Sequence, residues 1–114
     1  MNAAMKKTGQ GVGRILILAV ALLSFANATT AANMVQIDNF SFSPQTLTVP
    51  AGTTVTWVNH DEEPHTVTSD ASPRVFNSSP RDTGEKFSFT FATRGTYKYF
   101  CAIHPHMVGV VVVK

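Results

Sequence analysis

From Val35 onward the chain is built of short segments in which apolar and polar residues alternate, separated by Pro, Gly, Asn, Asp and Ser. Successive side chains point to opposite faces only in an extended strand, so a period of two fits one buried face and excludes an amphipathic helix. The alternating segments are VQIDNF (35–40), TLTV (46–49), TTVTWVN (53–59), KFSFTF (86–91) and GTYKYFC (95–101); HTVTS (65–69) and the closing valine run VGVVVVK (108–114) read as strands beside them. Their β-branched and aromatic content suits half-buried pleated surfaces. Many short strands with frequent turn signals predict an all-β sandwich or barrel. Phe87, Phe89 and Phe91 share one face and, with Trp57, are expected to fill its core. Residues 70–85, DASPRVFNSSPRDTGE, read as a long irregular connection.

The first part of the chain has a different character. Lys6, Lys7 and Arg14 precede an unbroken apolar run, Ile15–Leu23, and then small residues. That order predicts a secretory signal peptide over 1–28, cleaved after Ala28 or, as the second choice, after Ala32. Nine apolar residues fall short of the roughly 20 that span a bilayer, so the uncleaved anchor is the weaker alternative and no stable membrane insertion is expected. The domain is then 29–114, with six basic residues against seven acidic ones, a formal charge of −1 where the whole chain carries +2. No basic cluster remains, and no nucleic-acid partner is expected. A domain of this size folds alone with little stability in reserve, and exported ones often gain it from disulfides or a metal. One cysteine forms no internal disulfide, which directs attention to a metal.

The single cysteine lies in YFCAIHPHMVG, as Cys101-x-x-His104-x-x-Met107. Pro105 breaks regular structure there, so a thiolate, an imidazole and a thioether share one loop between two strands. A fourth donor has to come from elsewhere. His65, whose entry is restricted by Pro64, is the better candidate; His60, among Asp61, Glu62 and Glu63, is the weaker. Structural zinc uses Cys and His and rarely a thioether, calcium and magnesium take oxygen, and c-type haem needs a second cysteine. Two His, one Cys and a weak axial Met form the blue-copper set, so the donors select one type 1 copper ion.

These residues also carry a resemblance. FSFSPQTLTVPAGTTVTWVNHDEEPHTVTS, GEKFSFTF and GTYKYFCAIHPHMVGVVVV together resemble the cupredoxins, the small blue copper proteins, and within them the amicyanin-like and plastocyanin-like branch. The gap of two residues between His104 and Met107 is similar to the amicyanin-like loop. The resemblance implies a Greek-key β-sandwich with copper at one end, held by His65, Cys101, His104 and Met107. It implies that His65 is the more buried imidazole and His104 the edge through which electrons pass. It also marks a departure: Thr66 follows His65 where many relatives carry an Asn that ties the two ligand segments together. The tie is expected to be weaker here.

Two functional classes follow. The first is a monomeric periplasmic electron carrier, not an enzyme, serving redox partners such as a dehydrogenase, a c-type cytochrome or a terminal reductase. The second is a periplasmic protein for copper storage or delivery, which one compact site without a Met-rich run supports less well. A third reading, a sandwich without metal, leaves the cluster unexplained. His106 is expected to be a solvated loop residue, and Asn59 either a ligand-loop brace or a plain turn residue. Asp61, Glu62 and Glu63 are expected in a solvated turn near the metal end, where they steer a basic partner.

Overall fold

The computed structural model describes residues 33–114. The predicted signal peptide lies outside the described residues. Eight strands form two four-stranded sheets: β1 (Met34–Asp38), β2 (Ser41–Ser43), β3 (Thr46–Val49), β4 (Thr53–Asn59), β5 (Thr68–Ser69), β6 (Lys86–Phe91), β7 (Gly95–Phe100) and β8 (Val108–Val113). One sheet runs β2-β1-β4-β6 and the other β3-β8-β7-β5. β1 lies parallel to β4 and β3 parallel to β8, with the other ladders antiparallel. The chain passes repeatedly from sheet to sheet, as an all-β Greek-key sandwich does. Among the described residues there is no α-helix, and no helix is long and apolar enough to cross a membrane.

The alternation seen in the sequence places the core. Val35 and Ile37 of β1, Val55 and Trp57 of β4, Tyr99 of β7, and Val111 and Val113 of β8 all point inward. Trp57 sits edge-on to Tyr99, with ring centroids 5.5 Å apart, and tilted against Phe87 and Phe91. Of the expected phenylalanine stripe, Phe91 is buried and Phe87 and Phe89 pack half-buried against the core. A further core residue comes from the irregular connection: Phe76 is buried among Trp57, Phe89 and Phe91.

Three local expectations change. β1 ends at Asp38, because Asn39 and Phe40 turn into the left-handed region with φ of 51° and 57°. The chain then returns as β2, a hairpin partner of β1 that was not expected. Of the segment 65–69 only Thr68–Ser69 joins a strand, paired with β7. His65 instead forms an isolated bridge with Arg81, through His65 N–H to Arg81 C=O at 3.2 Å and Arg81 N–H to His65 C=O at 2.8 Å.

Candidate metal centre

The loop from β7 to β8 is closed across its mouth, where Cys101 N–H donates to Met107 C=O at 3.1 Å. Inside it Met107 N–H donates to His104 C=O at 2.9 Å. The two bonds fold 101–107 back on itself, with Cys101 and Met107 buried and Ala102, Ile103, Pro105 and His106 exposed. His65 reaches the same end of the sandwich on the segment between β4 and β5. Its Nδ1 lies 3.8 Å from Cys101 Sγ, and Nδ1 of His104 lies at the same distance from that sulfur. The donor atoms of the three residues all lie within 4.8 Å of one another. His65 is fully buried, whereas the His104 side chain is 21 % exposed.

Hydrogen bonds hold the two ligand-bearing segments together. Thr66 N–H donates to Cys101 Sγ at 3.3 Å, and Ala102 N–H donates to Thr66 Oγ1 at 2.7 Å. Thr66 Oγ1 lies 2.8 Å from Thr68 Oγ1, and Thr68 O–H donates to Asn77 Oδ1. Because the Thr68 proton is used on Asn77, the Thr66 hydroxyl donates to Thr68, and every hydroxyl in the chain of bonds is satisfied. Thr66 thus ties the two ligand-bearing segments from both its N–H and its hydroxyl.

Asn59 is a brace and not a plain turn residue. It is fully buried, its Nδ2 donates to Glu63 C=O and Arg81 C=O at 2.9 and 2.8 Å, and its Oδ1 accepts from Asp61 N–H at 2.9 Å. The acidic turn also divides. Glu62 and Glu63 are exposed, as expected. Asp61 is turned inward: its carboxylate accepts from Asn39 N–H, Phe40 N–H and His65 Nε2 at 2.7, 2.9 and 2.8 Å. Partial burial works to raise the Asp61 carboxyl, but the bonds from Phe40, His65 and Asn39 outweigh it and hold the group below the usual carboxylate range. His60 bonds to Gln36 and does not join the cluster. His106 is exposed, with its ring centroid 6.4 Å from that of His104.

Sequence reasoning missed Phe40. Its ring stands edge-on to both His65 and His104, with centroids 5.0 Å away in each case. Nothing local in DNFSF signals this, since the turn that places the ring depends on Asp61, 21 residues later.

The donor chemistry fits copper. Two imidazole nitrogens face one thiolate sulfur in a mostly buried pocket, and a buried thioether residue closes the same loop, which is the arrangement of a type 1 site. A family model described as "Copper binding proteins, plastocyanin/azurin family" matches residues 29–114. The chain belongs to that family. Family relatives include amicyanin of Paracoccus denitrificans, 31 % identical with 98 % of this chain and 88 % of the relative covered. Chloroplastic plastocyanin of Tetradesmus obliquus is 33 % identical, with 99 % and 85 % covered. Among solved structures, a purple cupredoxin from Nitrosopumilus maritimus is similar at 39 % identity and a TM-score of 0.66, covering 71 % of this chain and 98 % of that one. A copper-containing nitrite reductase from Thermus scotoductus is similar at 35 % identity and a TM-score of 0.64, but the match covers only 22 % of that chain.

Proposed function

We propose that the chain is a periplasmic carrier of single electrons, in which Nδ1 of His65, Sγ of Cys101, Nδ1 of His104 and the thioether of Met107 would hold one copper ion. The observation that carries this reading is the pair of Nδ1 atoms, each 3.8 Å from a buried Cys101 Sγ. Bound there, copper supplies a one-electron couple and an intense thiolate charge-transfer absorption.

The chain's own residues fit a carrier better than a delivery protein. Cys101 and His65 are fully buried, so neither is open to exchange with a receiving protein. The N–H of Thr66 withdraws charge from the thiolate, the kind of outer interaction that tunes a metal site. Two packed sheets and the Thr66–Ala102 bond keep the donors in place, which limits rearrangement between redox states. His104 is the more exposed of the two imidazoles, with the Phe40 ring edge-on to it and exposed Ile103 and Pro105 as its chain neighbours, and would supply the shortest route for an electron to a docked protein. Exposed Glu62 and Glu63 beside it favour a partner with a basic rim. Export to the periplasm rests on the leader-like residues 1–28.

The test is to add Cu(II) to the purified protein and record its visible spectrum before and after ascorbate. A strong thiolate-to-copper band that bleaches and returns on reoxidation supports the carrier. Absence of the band, or copper lost readily to a chelator, rejects it.

A further inference from the structure

The Asp61 carboxylate is more than part of an acidic turn. It gathers three N–H donors, two from the distant 39–40 turn and one from His65 four residues on. Oδ1 takes Asn39 N–H at 2.7 Å; Oδ2 takes Phe40 N–H at 2.9 Å and His65 Nε2–H at 2.8 Å. Asn39 and Phe40 both have positive φ, which large side chains rarely adopt, and successive N–H groups in such a turn converge on an anion. The anion is built in. Its side chain is 11 % exposed, and Asp61 N–H is itself fixed by buried Asn59.

The consequence for His65 is chemical. A carboxylate on Nε2 requires the proton to be on Nε2, so Nδ1 is bare and directs its lone pair toward Cys101 Sγ. The carboxylate also places a negative charge directly behind the imidazole. A second effect follows from the same bonds. By holding the 39–40 turn, Asp61 holds the Phe40 ring edge-on against both His65 and His104. Glu63 stands in a similar relation to His104 Nε2, but at 3.6 Å and with a side chain 61 % exposed, so its hold is loose.

We propose that Asp61 is a positioning residue for the metal centre: it fixes the tautomer and orientation of His65, raises the donor strength of Nδ1, and so favours the oxidised over the reduced metal. The proposal rests on the copper reading above. Carboxylates behind metal-bound histidines typically matter ten- to hundredfold when removed.

The experiment is a redox titration of the copper-loaded protein, for the wild type, Asp61→Asn and, as a control, Glu63→Gln. Asparagine keeps the shape but offers one acceptor oxygen and no charge to three donors. The expected result is a raised midpoint potential for Asp61→Asn, by about tenfold in the oxidised-to-reduced preference, which is about 59 mV for one electron. Glu63→Gln is expected to shift it by less. A potential for Asp61→Asn equal to or below the wild type overturns the proposal, while a wild type with no type 1 band overturns the copper reading instead. Should Asp61→Asn fail to fold, proton NMR of the wild-type Cu(I) protein decides. A downfield, slowly exchanging His65 Nε2–H supports the carboxylate bond, and a freely exchanging one rejects it.

Discussion

Thr66 Oγ1 accepts the Ala102 N–H at 2.7 Å, joining the segment that carries His65 to the loop that carries Cys101, His104 and Met107. The same residue gives its N–H to Cys101 Sγ and its hydroxyl proton to Thr68. One short side chain thus links the two halves of the centre. Thr66→Val keeps the β-branched shape but removes the acceptor. The expected loss is about 1–2 kcal/mol of unfolding free energy, since a partly buried N–H loses its partner. Thr66→Ser is expected to recover most of it. Chemical denaturation of the three proteins checks this, and equal stability of the Val and Ser variants would contradict it.

Gly109 of β8 lies directly opposite Tyr99 of β7. A Cβ at 109 would stand 2.3 Å from Tyr99 Cζ and 2.4 Å from its hydroxyl oxygen, far inside contact distance. The tyrosine ring occupies the room that the missing side chain leaves. Gly109→Ala is therefore expected to push the ring out of its packing against Trp57, at a cost of about 1–3 kcal/mol. Adding Tyr99→Leu should relieve the clash, so the double variant is expected to lose less than the sum of the single losses. Denaturation midpoints of the four proteins in the cycle measure that coupling.

Tyr99 also gives the fold an alkaline limit. Its hydroxyl is buried without a hydrogen-bond partner, as is Trp57 Nε1. Burial pushes the phenol up to about 12, and the nearby Trp57 indole opposes only a part of that. The folded value lies above the ordinary value near 10, so the neutral phenol is the form that the fold favours. Its contribution is fully present below pH 10 and is lost as pH rises from about 10 towards about 12, on the order of 3 kcal/mol in all. Tyr99→Phe is expected to remove this part of the alkaline loss and to be neutral or slightly stabilising at pH 7, where an unpartnered hydroxyl is also removed. Stability measured from pH 7 to pH 11 for both proteins checks the sign.

Glu62 and Glu63 are exposed, and the Glu63 carboxylate lies 3.6 Å from His104 Nε2. If they steer a basic redox protein, reversing both to lysine should slow second-order electron transfer and reverse the sign of its salt dependence, because exposed charges act over roughly a Debye length of about 10 Å at 0.1 M salt. Stopped-flow rates across a range of ionic strength with a basic cytochrome c measure this. A rate indifferent to salt in the parent protein would remove the steering role.

How far the sequence could be read depended on how local each cause was. β6 follows its alternation to the end and β4 does so as far as Trp57, because each buries one face against the same core. The spacing in Cys101-x-x-His104-x-x-Met107 pointed to the metal because all three groups lie on one short loop. What stayed hidden depends on distant partners. Phe40 looks like the last residue of a strand, yet Asp61 captures its N–H and that of Asn39 and bends the chain. Phe76 sits in a polar connection whose composition signals a loop, and only the gap beside Trp57 and Phe89 explains its burial. His65 looks like the start of a strand, but its backbone pairs with Arg81. Asp61 looks like any acidic turn residue until the β1–β2 turn is brought beside it.

The measurement that bears most directly on the centre is X-ray absorption at the copper edge of the loaded protein, oxidised and reduced. The account predicts one short copper–sulfur bond and two nitrogen neighbours in both states, with only small changes in distance, and loss of the short sulfur bond in Cys101→Ser. Coordination dominated by oxygen, or a first shell that is rebuilt on reduction, would contradict it.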